Sequence, residues 1–198
     1  MLLVSALLAL AAVPAAQAQR EPPRRALWLE AGAGSGGVWM ACTDCDAVRA
    51  SFGRFLTLRA GGSFNSRVKL ALDGLWLLEP DLAGREADTV MVTSNGTLGP
   101  VVLWYPMRGH FFAKGGMGLV RQRLRLLRAD GQAEATDSRL GTGLTFGVGY
   151  DVPLTRRVAA SLGLDAYYGA VGDVSVQGRY LDDLIASMYV ARLALVLR

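Results

Sequence analysis

The segment Arg157–Gly169, RVAASLGLDAYYG, decides the fold of this chain. One set of alternate residues is apolar throughout and ends in an aromatic side chain: Val158, Ala160, Leu162, Leu164, Ala166 and Tyr168. The other set is small or polar and carries one charge: Ala159, Ser161, Gly163, Asp165 and Tyr167. Alternation with a period of two over this length predicts a long β-strand.

The composition of the two faces predicts which of them points outward. A strand on the surface of a soluble sheet normally presents long charged side chains to water, whereas the polar face of this segment is small and has Asp165 as its one charge. Small residues with a single acid indicate a crowded interior. We therefore expect the apolar face to contact lipid, as in a transmembrane β-barrel.

The same alternation predicts eight strands along the chain. They are expected at residues 26–34, 54–62, 67–78, 89–105, 110–120, 140–150 and 157–169, and from about 184 to the end of the chain after a loop at 172–183. Their connections alternate between long and short, and the longest and most charged one is expected at 121–138. This rhythm is typical of an antiparallel up-and-down barrel with short periplasmic turns and long outer loops. The fourth strand contains Asn95-Gly96, which indicates either a bulge or a hairpin turn that would change the strand count.

Composition agrees with a membrane barrel. The chain has 198 residues, of which 24 are glycine, 52% are hydrophobic and 19% are charged. The apolar residues are dispersed, and after residue 18 no apolar stretch approaches the roughly 20 residues that a membrane helix needs. A net charge of +4, scattered along the chain, does not favour nucleic-acid binding.

Residues 1–18 are predicted to be a secretory signal peptide. An apolar run, LLVSALLALAAV, precedes Pro14 and an Ala16-Gln17-Ala18 cleavage motif, although the segment before the run lacks Lys and Arg. Residues 19–198 then form one predicted barrel domain.

The inward face of the predicted barrel carries almost balanced charge. Its charged residues are Glu30, Arg59, Lys69, Asp73, Lys114, Asp165 and Arg192. Buried charges are tolerated when they are paired and hydrogen-bonded, so we predict an ionic network in the lumen. Since eight strands enclose a lumen that side chains can fill, this argues against a diffusion pore, with a proton or ion pathway as the alternative interpretation.

Aromatic residues fall near predicted strand ends, where interfacial girdles require them. Trp28, Tyr105, Phe111 and Tyr150 lie on the turn side, and Trp39, Phe52, Trp76 and Tyr168 on the loop side. The alternative is a set of aromatic anchors in an ordinary soluble core.

The segments HFFAKGGMGLV (110–120) and GTGLTFGVGYDVPLTRRVAASLGLDAYYG (141–169) resemble the OmpA-like and opacity-protein-like outer-membrane β-barrel domains. The resemblance covers most of the predicted mature chain. It implies an eight-stranded, monomeric barrel in a Gram-negative-type outer membrane, surrounded by lipid and lipopolysaccharide and inserted by the outer-membrane assembly machinery. Such barrels usually finish on Phe or Trp, whereas this sequence finishes on Leu197-Arg198, which predicts weaker or different recognition by that machinery.

Cys42 and Cys45 form a C-x2-C pair in the first predicted outer loop. An exported chain favours a local disulfide; free thiols, or a metal or redox site, are the alternatives.

The arginines Arg121, Arg123, Arg125 and Arg128 begin the longest predicted loop. Their guanidinium groups could bind lipopolysaccharide phosphates in a bidentate manner, or they could be a solvated loop face.

The sequence does not favour an enzyme. A lipid acylase or deacylase site needs a histidine base next to a hydroxyl, and the only histidine, His110, falls in a predicted periplasmic turn without a neighbouring serine. No cofactor is indicated. We therefore predict a non-enzymatic barrel with a structural or surface-interaction role. The alternatives are a soluble periplasmic lipocalin-like carrier with inverted faces and a surface adhesin on the same barrel.

Overall fold

The computed structural model describes residues 27–41, 51–80, 89–107, 109–127, 133–176 and 179–198. The predicted signal peptide at 1–18 and both cysteines lie outside the described residues. No helix long and apolar enough to cross a membrane occurs in the described part of the chain.

Eight antiparallel strands form one closed barrel in which each strand pairs with its neighbours in sequence and β1 pairs with β8. The strands are β1 Leu27–Ala41, β2 Ser51–Ser63, β3 Val68–Pro80, β4 Thr89–Trp104, β5 Phe111–Leu127, β6 Ala133–Pro153, β7 Val158–Val176 and β8 Arg179–Leu197. Closure leaves no strand edge, so each strand is hydrogen-bonded to a neighbour on both sides. The predicted fold class is confirmed.

The predicted orientation of the two faces is also confirmed. On β7, the side chain of Leu164 is 61% exposed on the outer wall, whereas that of Asp165 is 3% exposed inside the lumen. The same division holds on β8, where Leu193 and Leu195 face outward and Arg192 faces inward. The lipocalin-like alternative required the opposite arrangement.

The strands extend further on the loop side than the sequence predicted. Residues 121–127 belong to β5 and residues 133–138 to β6, so most of the predicted 121–138 loop is a paired hairpin. Likewise, β7 continues to Val176 and β8 begins at Arg179. Beyond the apolar outer wall neither face of a strand needs to be apolar, so the alternation disappears from the sequence while backbone pairing continues.

The pair Asn95-Gly96 is not a hairpin turn. Asn95 pairs with Gln122 and Gly96 with Arg121 in the regular β4–β5 ladder. The ladder is irregular between Val92 and Ser94 instead. The strand count of eight therefore stands.

Two apolar clusters fill opposite ends of the lumen. The loop-side cluster consists of Val38, Met40, Phe55, Leu75, Leu77, Tyr167, Val171, Leu184, Met188 and Val190. The turn-side cluster consists of Trp28, Ala71, Val101, Leu103, Tyr105, Phe112, Ala159 and Val196. The buried charges occupy the space between them.

Candidate functional site

The middle of the lumen holds six charged residues, here called the central ion cluster: Glu30, Arg59, Asp73, Lys114, Asp165 and Arg192. Each is at most 4% exposed. Each comes from a different strand (β1, β2, β3, β5, β7 and β8) and lies at an inward position of that strand. Three acids face three bases, so the cluster is formally neutral.

Cross-strand register brings the first three members together. Glu30 on β1 is the direct partner of Arg59 on β2, which is the direct partner of Asp73 on β3. The Arg59 guanidinium donates from Nη1 to Glu30 Oε2 at 3.1 Å and from Nε to Asp73 Oδ1 at 2.9 Å. One arginine therefore pairs with an acid on each of the two strands beside it.

A glycine lets Lys114 and Asp165 meet across an intervening strand. Lys114 on β5 and Asp165 on β7 both have Gly147 on β6 as their direct partner. Lys114 Nζ lies 2.9 Å from Asp165 Oδ1 and 2.8 Å from Asp73 Oδ2. A Cβ at position 147 would collide with the Asp165 carboxylate and lie 3.2 Å from Lys114 Cε.

Arg192 closes the cluster between β7 and β1. Its guanidinium passes over Gly163, where an added Cβ would lie 3.0 Å from the guanidinium carbon. From there Nε donates to Asp165 Oδ2 at 2.8 Å, and Nη1 donates to the Glu30 carboxylate. Tyr167 adds a hydroxyl that donates to Asp73 Oδ2 at 3.0 Å.

Lys69, the seventh charge predicted for the network, lies apart from the central ion cluster. Its Nζ donates to the Tyr105 hydroxyl at 2.9 Å and lies 4.0 Å from Asp151 Oδ2. Asp151 also accepts from Tyr105 at 3.1 Å and from Arg198 Nη2 at 3.0 Å. We call Lys69, Tyr105, Asp151 and Arg198 the turn-side network. Burial and the neighbouring Asp151 carboxylate raise the pKa of the Tyr105 hydroxyl above its ordinary value.

Sequence reasoning placed Tyr105 and Asp151 in turns and missed their inward orientation. Both continue the inward alternation of their strands. Tyr105 lies two residues after the buried Leu103, and Asp151 lies two residues after the buried Gly149. Extending the period-two pattern by two residues would have found them. Tyr105 and Trp28 are therefore lumen residues, and the prediction that they belong to the turn-side girdle is wrong.

Above the central ion cluster, two amides lie opposite each other without a hydrogen-bond partner. Asn95 and Gln122 are direct cross-strand partners, each 1% exposed, and neither has a partner for its amide oxygen or nitrogen among the described residues. Below them, a cavity of about 10 Å³ in the wall formed by β4, β5 and β6 is lined by inward residues such as Thr97 and Thr145 and by outward residues such as Leu98 and Met117. That volume is the size of a single water molecule.

Exposed aromatic side chains mark both ends of the outer apolar wall. On the turn side these are Trp104, Phe111 and Tyr150. On the loop side, Trp39 makes edge contacts with Phe52 and Tyr189, with ring centroids 5.8 and 5.2 Å apart. The Tyr189 hydroxyl lies 2.7 Å from that of Tyr168. This placement matches an interfacial girdle.

Three of the four arginines predicted to contact lipopolysaccharide, Arg121, Arg123 and Arg125, lie on β5 rather than in a loop. Arg121 and Arg123 are exposed two and four residues beyond Leu119, the last leucine of the outer apolar face of β5 before them. Arg125 has its backbone in β5 opposite Thr136, and Arg128 lies outside the described residues. The structure thus places Arg121 and Arg123 at the upper border of the apolar wall.

His110 lies in the connection between β4 and β5. Its ring packs against Tyr150, with centroids 5.7 Å apart, and its backbone carbonyl accepts from Asp151 N at 2.8 Å. These contacts hold the turn against β6.

No family model matches the chain, and no curated protein matches it. Solved structures do share its fold. Neisserial surface protein A is 15% identical with a TM-score of 0.52, and the match covers 85% of this chain and 95% of that one. Ail, the attachment invasion locus protein of Yersinia pestis, is 11% identical with a TM-score of 0.51, covering 86% and 98%.

The N-terminal β-barrel domain of Pseudomonas aeruginosa OprF is 14% identical with a TM-score of 0.50, covering 86% of this chain and 96% of that domain. All three are eight-stranded barrels of the bacterial outer membrane. The chain therefore has the fold that its resemblance to the OmpA-like and opacity-protein-like barrels predicted.

Proposed function

Because the chain has the fold of the eight-stranded outer-membrane barrels, we propose that it is a non-enzymatic outer-membrane protein with a closed lumen and a surface-interaction role. The observation that carries this proposal is the filling of the lumen: an apolar cluster at each end and a neutral ion cluster between them. A barrel of eight strands has room for such a filling and for little else.

The extended loop-side hairpins support the surface role. β5 to β8 continue well beyond the outer aromatic residues, so a paired wall projects above the lipid interface. Two proteins that share the fold carry names that refer to a surface protein and to attachment. An adhesive or structural role on the same barrel uses this projecting part and not the lumen.

Conductance tests the closed lumen. The purified protein, folded in a planar bilayer, is expected to give no current above that of the lipid, whereas a reconstituted porin in the same lipid gives open-channel steps. Steady conductance steps from the purified protein would contradict the proposal. Detergent partitioning and heat-modifiable gel mobility show independently that the preparation contains a folded barrel.

Protease shaving of intact cells tests the surface role. Cleavage is expected at the loop-side segments 42–50, 81–88, 128–132 and 177–178, which connect the strands on that side. Cleavage at the turn-side segments 64–67 or 154–157 of intact cells would contradict the orientation.

We further propose that Arg121 and Arg123 bind lipopolysaccharide phosphates. They border the apolar wall at the level where the sugar-phosphate region begins, and guanidinium groups bind phosphate in a bidentate manner. Arg121→Glu/Arg123→Glu is expected to lower the lipopolysaccharide that co-purifies with the barrel by about tenfold, which corresponds to about 1.4 kcal/mol. The matched variant Arg54→Glu/Arg139→Glu changes charge equally at two other exposed loop-side arginines. Equal loss of lipopolysaccharide in both variants would show that its retention depends only on the overall charge of the barrel, which would contradict the proposed contact.

A further inference from the structure

Two of the three turn-side connections repeat the same structural motif. In the β2–β3 turn, Asn65 Oδ1 accepts from the backbone N–H groups of Arg67 and Val68, both at 2.8 Å. In the β6–β7 turn, Thr155 Oγ1 accepts from Arg157 N at 3.2 Å and Val158 N at 3.0 Å. A side-chain oxygen thus fixes each turn from its second position.

The backbone hydrogen bonds of the two turns are the same as well. Val68 O accepts from Phe64 N at 2.9 Å and Asn65 N at 3.1 Å. Val158 O accepts from Leu154 N at 3.0 Å and Thr155 N at 2.9 Å. Both turns are therefore rigid before any ligand binds, which lowers the entropic cost of binding.

Each turn presents an apolar residue at its first position and an arginine at its fourth. The apolar residues are Phe64, 73% exposed, and Leu154, 53% exposed, and the arginines Arg67 and Arg157 are exposed too. In the third connection Met107 is 74% exposed. Arg156 adds a further exposed positive charge. We call these residues the turn-side rim: Phe64, Arg67, Met107, Leu154, Arg156 and Arg157.

The rim carries positive charge without exposed negative charge. The described residues of the three connections, 64–67, 105–107, 109–110 and 154–157, include no Asp or Glu. The acid next to them, Asp151, is 2% exposed and is bound by Tyr105 and Arg198. The side chains of these connections therefore carry only positive charge, and the arginines of the rim are exposed.

We propose that the turn-side rim binds anionic glycerophospholipid headgroups of the inner leaflet of the outer membrane. Arg67 and Arg157 each bind a headgroup phosphate, while Phe64 and Leu154 lie beside the glycerol and first methylene groups. The alternation of apolar and guanidinium side chains fits an interface that is apolar on one side and phosphate-rich on the other. A water-soluble anion would leave the exposed apolar residues in water. This proposal rests on the outer-membrane placement of the barrel.

The test uses the full barrel in nanodiscs of phosphatidylcholine with a minor fraction of phosphatidylglycerol. Native mass spectrometry of the released protein reports which lipids stay bound. The wild type is expected to retain phosphatidylglycerol in excess of its share. Arg67→Gln/Arg157→Gln is expected to reduce that excess by about fivefold or more, because it removes both charge-assisted contacts with the headgroup phosphates. Phe64→Ser/Leu154→Ser is expected to reduce the retention of both lipids.

The control Arg54→Gln/Arg139→Gln removes two exposed arginines from the loop-side half of the barrel and is expected to leave the phosphatidylglycerol excess unchanged. Equal loss in this control, or no excess in the wild type, would overturn the proposal. Displacement of the lipid by excess inorganic phosphate would also overturn it, because it would identify a simple anion site.

Heat-modifiable mobility of every variant shows that it is folded. Failure of the wild type to insert would instead contradict the outer-membrane proposal, so the two failures are distinguishable.

Discussion

Lys114 and Asp165 form an ion pair across a strand that contributes no side chain between them, with 2.9 Å between Nζ and Oδ1. The strand between them contributes Gly147, the direct neighbour of both. Charge pairing in this lumen therefore depends on a glycine as much as on the charged residues.

Gly147→Ala is expected to destabilise the barrel by about 3 kcal/mol or more, because the new methyl group displaces the Asp165 carboxylate and leaves buried charge unpaired. Urea unfolding of the barrel in lipid vesicles measures the free energy of unfolding. Gly115→Ala is the matched control, because an added Cβ at that position meets nothing within 4 Å. Equal destabilisation by both substitutions would contradict the role of Gly147.

A double-mutant cycle measures the pairing within the central ion cluster. Lys114→Met leaves excess negative charge in the lumen, and Asp73→Asn leaves excess positive charge, so each is expected to cost about 3–5 kcal/mol. The double variant restores neutrality and is expected to cost at least about 1 kcal/mol less than the sum of the two single variants. Additive effects would show that the 2.8 Å contact between these residues is energetically unimportant.

Replacing the unpaired amides is expected to stabilise the protein. Asn95 and Gln122 are buried opposite each other, and their amide groups lack partners among the described residues. Asn95→Val/Gln122→Leu removes this desolvation cost, and an increase in unfolding free energy of about 1–3 kcal/mol is expected from chemical denaturation. A decrease would show that the amides are satisfied by bound water and contribute to stability.

The loop-side aromatic residues should differ in importance. Trp39 contacts both Phe52 and Tyr189, so Trp39→Ala is expected to cost about 2 kcal/mol or more. Tyr168→Phe removes one exposed hydroxyl contact of 2.7 Å and is expected to cost less than about 1 kcal/mol. Unfolding in lipid compares the two, and the reverse order would contradict a packed cluster centred on Trp39.

Two substitutions in the turn-side network are expected to lower the free energy of unfolding by different amounts. Asp151→Asn weakens its contacts with both Tyr105 and Arg198, whereas Arg198→Ala removes one contact made by a partly exposed side chain. We expect a cost of about 2–3 kcal/mol for the first and less than about 1 kcal/mol for the second, measured by denaturant unfolding. A larger cost for Arg198→Ala would mean that Arg198, rather than Asp151, is the centre of this network.

The middle of each strand could be predicted because its two faces have different surroundings. An apolar outer wall on one side and a narrow lumen on the other place each residue between Val158 and Tyr168 in one of two classes, so the alternation is visible in the sequence. The alternation ends where the strands continue beyond the apolar wall. For this reason the sequence predicted a charged loop at residues 121–127, although they belong to β5. It likewise predicted that Tyr105 and Asp151 lie in turns.

Sequence alone determined the fold class, the strand order and the inward face of the middle of each strand, because these follow from a period of two and from the alternation of long and short connections. Tertiary structure alone decided which charges meet. Lys69 lies with Asp151 instead of the central ion cluster, and Lys114 reaches Asp165 over Gly147. Those contacts depend on the register between strands and on the stagger of a closed barrel, and no single strand carries that information.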